Sequence, residues 1–160
     1  MSAWKSFEAS VAKLFGGKRV PLSGSNSGHG TRSDVREIPF GSRFYIECKR
    51  DKTFLPSLVP YIPGMRKGTG FIFQATVGEL ILFDGLTLLK NLTIEQMIDV
   101  GPKKRHKSIG FFESETLKAK SEGRKVLVLA MRAPNKHGIF MLTELSNFVE
   151  VEQHILKVNV

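Results

Sequence analysis

One run of seven residues constrains the fold of this chain more than any other part of it. Lys125 to Met131 reads KVLVLAM and is almost continuously apolar over the length of a strand. A strand that is apolar on both sides lies inside a sheet that other elements cover on both faces. The run therefore predicts a central strand in a layered protein, with helices packed on a sheet.

Two helical patterns can provide the covering layers. Residues 3–15 carry apolar side chains along one helical face, at Trp4, Phe7, Val11 and Leu14. Glu8 flanks that face, where its carboxylate could reach over the edge of the core to a neighbouring site or stay in solvent. A second helix is predicted over residues 111–122 and ends at Gly123. Residues 143–160 are expected to finish with a short helix or loop and an apolar tail.

The remaining strands come from turn signals between apolar segments. Residues 34–38 and 43–49 predict an antiparallel hairpin, because Pro39 takes the second position of a β-turn between them. Residues 18–22 could be a short strand or simply extended chain. Residues 139–142 predict a strand that pairs back on the central one.

The order of these elements predicts an α/β fold with a mixed central sheet flanked by helices. The length suits one domain, 1–160, with a sizeable core. Residues 53–108 interrupt the simple order and are interpreted as an insertion after the hairpin. Within the insertion, 71–73 and 79–89 are strand-like, with a turn near Asp84.

Asp34, Glu47 and Lys49 form the most informative group of polar residues. Glu47 and Lys49 lie two residues apart on the second strand of the hairpin, so their side chains share a face. The hairpin pairing returns Asp34 to the end of that strand. Two carboxylates and a lysine at a sheet edge can hold a divalent metal ion and its activated water. The plainer alternative is an exposed ion pair of Glu47 with Lys49, which contributes little.

Cys48, between these two residues, is the only cysteine. Its side chain is expected in the core with Phe44 and Ile46, and its backbone carbonyl could serve as a third protein ligand. A lone cysteine excludes an intramolecular disulfide and favours a reducing compartment. There is no signal-peptide pattern and no apolar run near the roughly 20 residues of a membrane helix. The sequence thus predicts a cytoplasmic protein, or a viral one in a host cytoplasm.

The charge balance bears on the partner. The formal net charge is +9, which favours a polyanion, with nucleic acid ahead of an anionic membrane. A basic protein without such a partner is the alternative. The loop 23–33, SGSNSGHGTRS, could hold a phosphate on its amides and hydroxyls or be a flexible linker. The run 103–107, KKRHK, could contact phosphates or be a solvated surface.

The four positions Asp34, Glu47, Cys48 and Lys49 resemble the signature of the PD-(D/E)xK nuclease superfamily. An acidic residue followed two positions later by lysine occurs once in this chain, after a segment that begins with aspartate. The preceding helix with Glu8 also matches the α-β-β-β-α-β core of that superfamily.

Within the superfamily, the chain is most similar to the archaeal-type Holliday junction resolvases and their phage relatives. The matching pieces are Glu8, Arg19, SGSNSGHG, Asp34 and IECK. The similarity covers residues 1–50 well and 111–142 loosely, and it does not cover 53–108.

The resemblance implies a restriction-endonuclease-like core and a Mg²⁺-dependent endonuclease, in which Mn²⁺ can substitute. It also implies a homodimer that resolves four-way DNA junctions by paired symmetric nicks. The implied catalytic residues are Glu8, Asp34, Glu47 and Lys49. The implied metal ligands are Asp34, Glu47, the Cys48 carbonyl and Glu8, the last possibly through water. The implied DNA contacts are Arg19, Ser23 or Ser25, Arg32, Lys103, Lys104 and Arg105.

Two other functions stay open at this point. The same nuclease site could cut other branched, single-stranded or specific duplex DNA, with recognition carried by residues 53–108. Alternatively, the chain could be a non-catalytic DNA-binding accessory protein that uses only its basic surface.

Overall fold

The computed structural model of this chain describes residues 3–20, 33–41, 43–49, 70–75, 78–85, 98–100, 107–132 and 139–159. The helices in this part are α1 (Ala3–Phe15), α2 (Lys107–Ser121) and α3 (Phe148–Val158), with a 3₁₀ turn at Leu145–Asn147 before α3. The strands are β1 (Lys18–Arg19), β2 (Val35–Arg36), β3 (Phe44–Lys49), β4 (Gly70–Ala75), β5 (Gly78–Asp84), β6 (Ile98–Val100), β7 (Val126–Met131) and β8 (Phe140–Glu144).

A mixed six-stranded sheet in the order β3-β7-β8-β5-β4-β6 forms the centre of the described fold. β7 runs parallel to β3 and antiparallel to β8. All six residues of β7 are buried, which confirms the central strand predicted from KVLVLAM. The return strand over 139–142 is likewise confirmed as β8.

Helices cover both faces of this sheet. Phe44, Ile46 and Cys48 of β3 belong to a buried cluster that includes Phe7 of α1 and Ile155 of α3. Tyr45 and its neighbours on the other face belong to a second cluster, which includes Phe112 of α2. The mixed α/β fold with a sheet flanked by helices is therefore confirmed. No helix in the described ranges is long and apolar enough to cross a membrane.

The ends of the helices follow local signals. α1 spans the predicted range and stops before Gly16, which has a φ of 75°. α2 begins at Lys107, earlier than predicted, and Gly123 with a φ of 71° follows it. A left-handed residue just after a helix ends it, because glycine adopts that conformation without a Cβ penalty. The expected apolar tail is the helix α3.

The predicted hairpin of 34–38 with 43–49 is wrong in its pairing. β2 is antiparallel to β1, and the two form a separate two-stranded sheet. The predicted turn is present, since the Gly41 amide donates to the Ile38 carbonyl across Pro39. However, Glu37 and Phe40 have left-handed φ values of 56° and 59°. These two residues interrupt the extended conformation between β2 and β3, and no ladder joins the two strands in the described residues.

The described parts of the insertion extend the central sheet. β4 and β5 form an antiparallel hairpin, and β5 pairs with β8. The strand predicted to begin at Glu79 is present, with Gly85 in the turn that follows it. Leu80 to Phe83 are fully buried in the two core clusters, so this stretch is core.

Candidate active site

The open edge of β3 is where the candidate site is built. β3 lies at the end of the six-stranded sheet, and among the strands that the structure describes it pairs in this sheet with β7 alone. On the side of β3 that faces β7, the Val126 amide donates to the Arg43 carbonyl and the Arg132 amide donates to the Lys49 carbonyl. Backbone groups of a strand point alternately to its two sides. Those of Phe44, Ile46 and Cys48 therefore point away from β7, towards the open edge.

Ser33 and Asp34 cover that edge. The Asp34 amide donates to the Ile46 carbonyl at 2.7 Å, and the Ser33 hydroxyl accepts from the Ile46 amide at 2.9 Å. The Asp34 side chain continues the pattern, because its Oδ2 accepts from the Cys48 amide at 2.7 Å. The Asp34 carboxylate, only 2% exposed, is thus fixed beside the Cys48 backbone. The Cys48 carbonyl points to the same edge.

Glu47 projects from β3 on the side covered by α2. Burial raises the pKa of this carboxyl from 4.5 to about 9, and the negative charges of Asp34 and Glu115 add to the effect. Lys118 and Lys49 act in the opposite direction. Burial and the two neighbouring carboxylates therefore favour the protonated form of Glu47. A cation placed at Glu47 would remove this repulsion and favour the ionised carboxylate.

Lys49 is on the same face, and its Nζ lies 4.8 Å from the centre of the Phe111 ring of α2. Glu47 is largely buried and makes no ion pair within the described part of the chain. An exposed Glu47–Lys49 salt bridge, the plainer sequence alternative, is not what the structure shows.

The Cys48 side chain is 1% exposed and packs in the core, as predicted. Burial raises the pKa of its thiol, and the charges of Asp34, Glu8 and Glu47 raise it further. A thiol held neutral in this way is a poor nucleophile. The backbone carbonyl is the part of Cys48 that faces the candidate site.

Glu8 occupies a different place from Glu47. It lies on α1, the helix that packs against the Cys48 face of β3, and only 1% of its surface is exposed. Its Oε1 is 3.3 Å from the Arg19 guanidinium, so two predicted site residues form a partly buried ion pair. The charge of Glu8 acts on the Cys48 thiol together with those of Asp34 and Glu47, although it is not among the charges that shift the pKa of Glu47.

The donors at the edge fit a hard cation. Asp34, Glu47 and the Cys48 carbonyl offer only oxygen, which is the ligand type that Mg²⁺ prefers. In the described ranges, no group of three or more His, Cys, Asp or Glu side chains could hold a metal ion by itself. Two carboxylates and one carbonyl suit Mg²⁺ all the same, since it keeps several of its waters.

Several predicted DNA contacts lie outside the described residues, so their position is not part of the site built above. These are Ser23, Ser25, Arg32, Lys103, Lys104 and Arg105.

The structure brings in three residues that the sequence reasoning missed. Ser33 fixes the edge of β3, and Arg132 follows β7 with its guanidinium 5.0 Å from the Phe7 ring. Glu115 of α2 is 3% exposed, and its negative charge contributes to the raised pKa of Glu47. Its signal was present in the sequence, because it lies three residues after Phe112 and four before Ala119. That spacing puts a carboxylate on the apolar face of the helix.

Comparisons with protein-family models, with curated proteins and with solved structures found no match.

Proposed function

We propose that the chain is a Mg²⁺-dependent DNA endonuclease with a restriction-endonuclease-like core, and that it resolves four-way junctions as a homodimer. The observation that carries this proposal is that the carboxyl groups of Asp34 and Glu47 interact electrostatically at the open edge of β3, with Lys49 on the same strand. A polar site of this composition has no evident structural use, because Glu47 lies where burial and Asp34 both oppose its charge.

The cation would be held by Asp34, Glu47 and the Cys48 carbonyl. Bound there, Mg²⁺ supplies positive charge for the phosphate oxygens and lowers the pKa of a coordinated water. The Cys48 amide keeps the Asp34 carboxylate in place through the 2.7 Å hydrogen bond. Ionisation of Glu47 accompanies binding, so one proton leaves the site.

Lys49 would act on the reacting phosphate. Its ammonium can orient the attacking water or stabilise the negative charge that develops on the phosphoryl oxygens. The Phe111 ring limits where the Lys49 side chain can go, which favours a defined position over a fully solvated one.

DNA would approach the open edge of β3, because the net charge of +9 attracts its phosphates. Arg19, Ser23 or Ser25, Arg32, Lys103, Lys104 and Arg105 are proposed to contact the DNA phosphates. A two-fold symmetric dimer would place two such sites on the two-fold symmetry of a junction.

A substrate panel tests the proposal. The protein is incubated in Mg²⁺ with equal amounts of a labelled four-way junction, a linear duplex of the same sequence and a single strand. Glu47→Gln is run beside it, with Glu79→Gln as control, because Glu79 is an exposed carboxylate on β5. We expect paired symmetric nicks on the junction from the native protein and the control, and none from Glu47→Gln.

Each part of the proposal has its own contrary result. Equal cutting of all three substrates would refute junction specificity and leave a general nuclease. Undiminished cleavage by Glu47→Gln would refute the site. Junction binding without cleavage in both Mg²⁺ and Mn²⁺ would favour the non-catalytic binding protein.

A further inference from the structure

Phe40 is the most exposed large apolar side chain in the described part of the chain, with 80% of its surface open to solvent. It lies in the turn between β2 and β3, where its backbone φ of 59° is left-handed. A bulky residue seldom adopts this conformation, because its Cβ crowds the backbone there. A single exposed apolar residue is ordinary on a protein surface, whereas one that is also held in a strained conformation calls for an explanation.

The Phe40 ring is held in place without being covered. The Lys157 ammonium of α3 lies 4.1 Å from the centre of the ring, within the range of a cation over an aromatic face. The preceding Pro39 lies close to Gly16 at the end of α1, so the turn is packed against the fold. A ring fixed in this way loses little conformational freedom when a ligand covers it.

An open hollow of about 160 Å³ adjoins the ring. Its lining consists of Phe40, Phe44, Glu150, Gln153, His154 and Lys157. The His154 imidazole is fixed there, because it contacts the Phe44 ring and its Nε2 donates to the Phe15 carbonyl at 2.8 Å. The volume is below the roughly 300–1,000 Å³ of pockets that enclose a small molecule. The hollow therefore suits one part of a longer chain that lies across the surface.

The charges around the turn favour an anionic chain. Both acidic side chains beside it are already paired, Glu150 with Arg43 at 3.1 Å and Glu37 with Lys18 at 3.2 Å. The Lys157 ammonium adds positive charge that these two acids do not balance. An aromatic plane next to excess positive charge is complementary to a chain that carries both flat rings and phosphates.

We propose that Phe40 stacks on an unpaired nucleobase of single-stranded DNA, with Lys157 and Arg43 beside its phosphates. Stacking on exposed aromatic side chains in a basic surface holds single strands without reading their sequence. Gln153 can both donate to and accept from the edge of the base. A duplex would not offer such a base, because its bases stack on one another. The inference shares with the proposed function only that DNA is the partner, and it needs no metal.

The stacking position is separate from the candidate active site. The turn with Phe40 leads into the first residues of β3, whereas Glu47 and Lys49 lie at its last residues. The strand between Phe44 and Lys49 is roughly 16 Å long. A base on Phe40 is therefore not the nucleotide at the metal site, and substitution of Phe40 leaves the proposed metal ligands in place.

Strand binding in EDTA tests the inference without a metal or a cleavage reaction. Fluorescence anisotropy gives the affinity for a labelled oligothymidine and for an abasic strand of the same length, which keeps the phosphates and lacks the bases. We expect the native protein to bind the oligothymidine about tenfold more tightly than the abasic strand. Phe40→Tyr keeps an aromatic ring and should keep this difference, as should Leu117→Ala at an exposed residue of α2. Phe40→Leu should bind both strands alike.

A tryptophan at this position gives a second readout that does not depend on Phe40→Leu being folded. The emission of Phe40→Trp is measured against that of the native protein, whose only tryptophan is Trp4. We expect the oligothymidine to quench the added indole and the abasic strand to leave it unchanged. Unchanged emission with both strands would overturn the inference.

The outcomes separate this inference from the proposed function. Equal affinity of the native protein for both strands would overturn the stacking position and leave the metal site intact. A preference for bases that persists in Phe40→Leu would overturn it too, because the base would then lie elsewhere. If neither strand nor a four-way junction binds, the proposed function fails as well. If Phe40→Leu converts a sedimenting dimer into a monomer, the ring joins two copies of the chain, which also overturns the inference.

Discussion

The raised pKa of Glu47 should make the metal-free protein less stable as the pH rises. The folded protein holds this proton up to a pKa of about 9, whereas the unfolded chain releases it near 4.5. Between these two values folding takes up a proton, so the free energy of unfolding falls with increasing pH. The favourable contribution is complete below pH 4.5 and is lost as the pH rises towards 9.

The size of the effect follows from the distance in pH. One pKa unit corresponds to about 1.4 kcal/mol. At pH 7.5, about 3 units above 4.5, uptake of the Glu47 proton on folding lowers the free energy of unfolding by about 4 kcal/mol. Glu47→Gln keeps the size and polarity of the side chain but cannot titrate. We therefore expect the variant to be more stable than the native protein by up to about 4 kcal/mol at pH 7.5, and equally stable near pH 4.5.

Urea unfolding in EDTA from pH 4.5 to pH 9 measures this difference. The native protein and the Glu79→Gln control should lose about 1.4 kcal/mol per pH unit relative to Glu47→Gln. Added Mg²⁺ should restore stability to the native protein and to the control, and should have little effect on Glu47→Gln. Parallel pH profiles of native protein and Glu47→Gln would refute the assignment of Glu47 as a carboxyl held neutral by burial and by Asp34.

Three further substitutions test the surroundings of the site. Ser33→Ala should lower the free energy of unfolding in urea by about 1–3 kcal/mol and slow cleavage, because the Ile46 amide loses its hydrogen bond to Ser33. Ser114→Ala, at an exposed serine, should change stability little. Arg19→Ala should cost about 3 kcal/mol, because it removes the Arg19 guanidinium from the buried Glu8 carboxylate. Lys18→Ala, from an exposed pair with Glu37, should cost under about 1 kcal/mol, and equal costs would contradict the buried pair. Lys49→Met should abolish cleavage and retain junction binding in a gel-shift assay, and a variant that still cuts at the native rate would remove Lys49 from the mechanism.

The elements with strong local signals could be predicted from the sequence. KVLVLAM predicted β7 because a run apolar on both sides has only one common place in a layered fold. The ranges of α1 and the end of α2 followed from apolar spacing and from the glycines that stop each helix. The shared face of Glu47 and Lys49 followed from strand geometry alone.

The parts that depend on distant residues could not be predicted in the same way. β2 pairs with β1, which lies outside the predicted hairpin, and the left-handed residues Glu37 and Phe40 that follow β2 are not marked by glycine in the sequence. Asp34 reaches β3 through two individual hydrogen bonds and not through a ladder, yet the predicted proximity to Glu47 is present. Glu8 flanks the apolar face of α1 as predicted, but only the packed structure places that helix against the Cys48 face of β3.

The rate of Mg²⁺-dependent cleavage by Asp34→Asn tests the central claim most directly. Asparagine keeps the shape of Asp34 and an oxygen that can accept from the Cys48 amide, but it removes the negative charge. Single-turnover cleavage of a labelled four-way junction would be compared among the native protein, Asp34→Asn and Glu79→Gln. Loss of a metal-binding charge worth several kcal/mol should slow Asp34→Asn by at least about 100-fold, with the control unchanged. A native rate in Asp34→Asn would contradict the account.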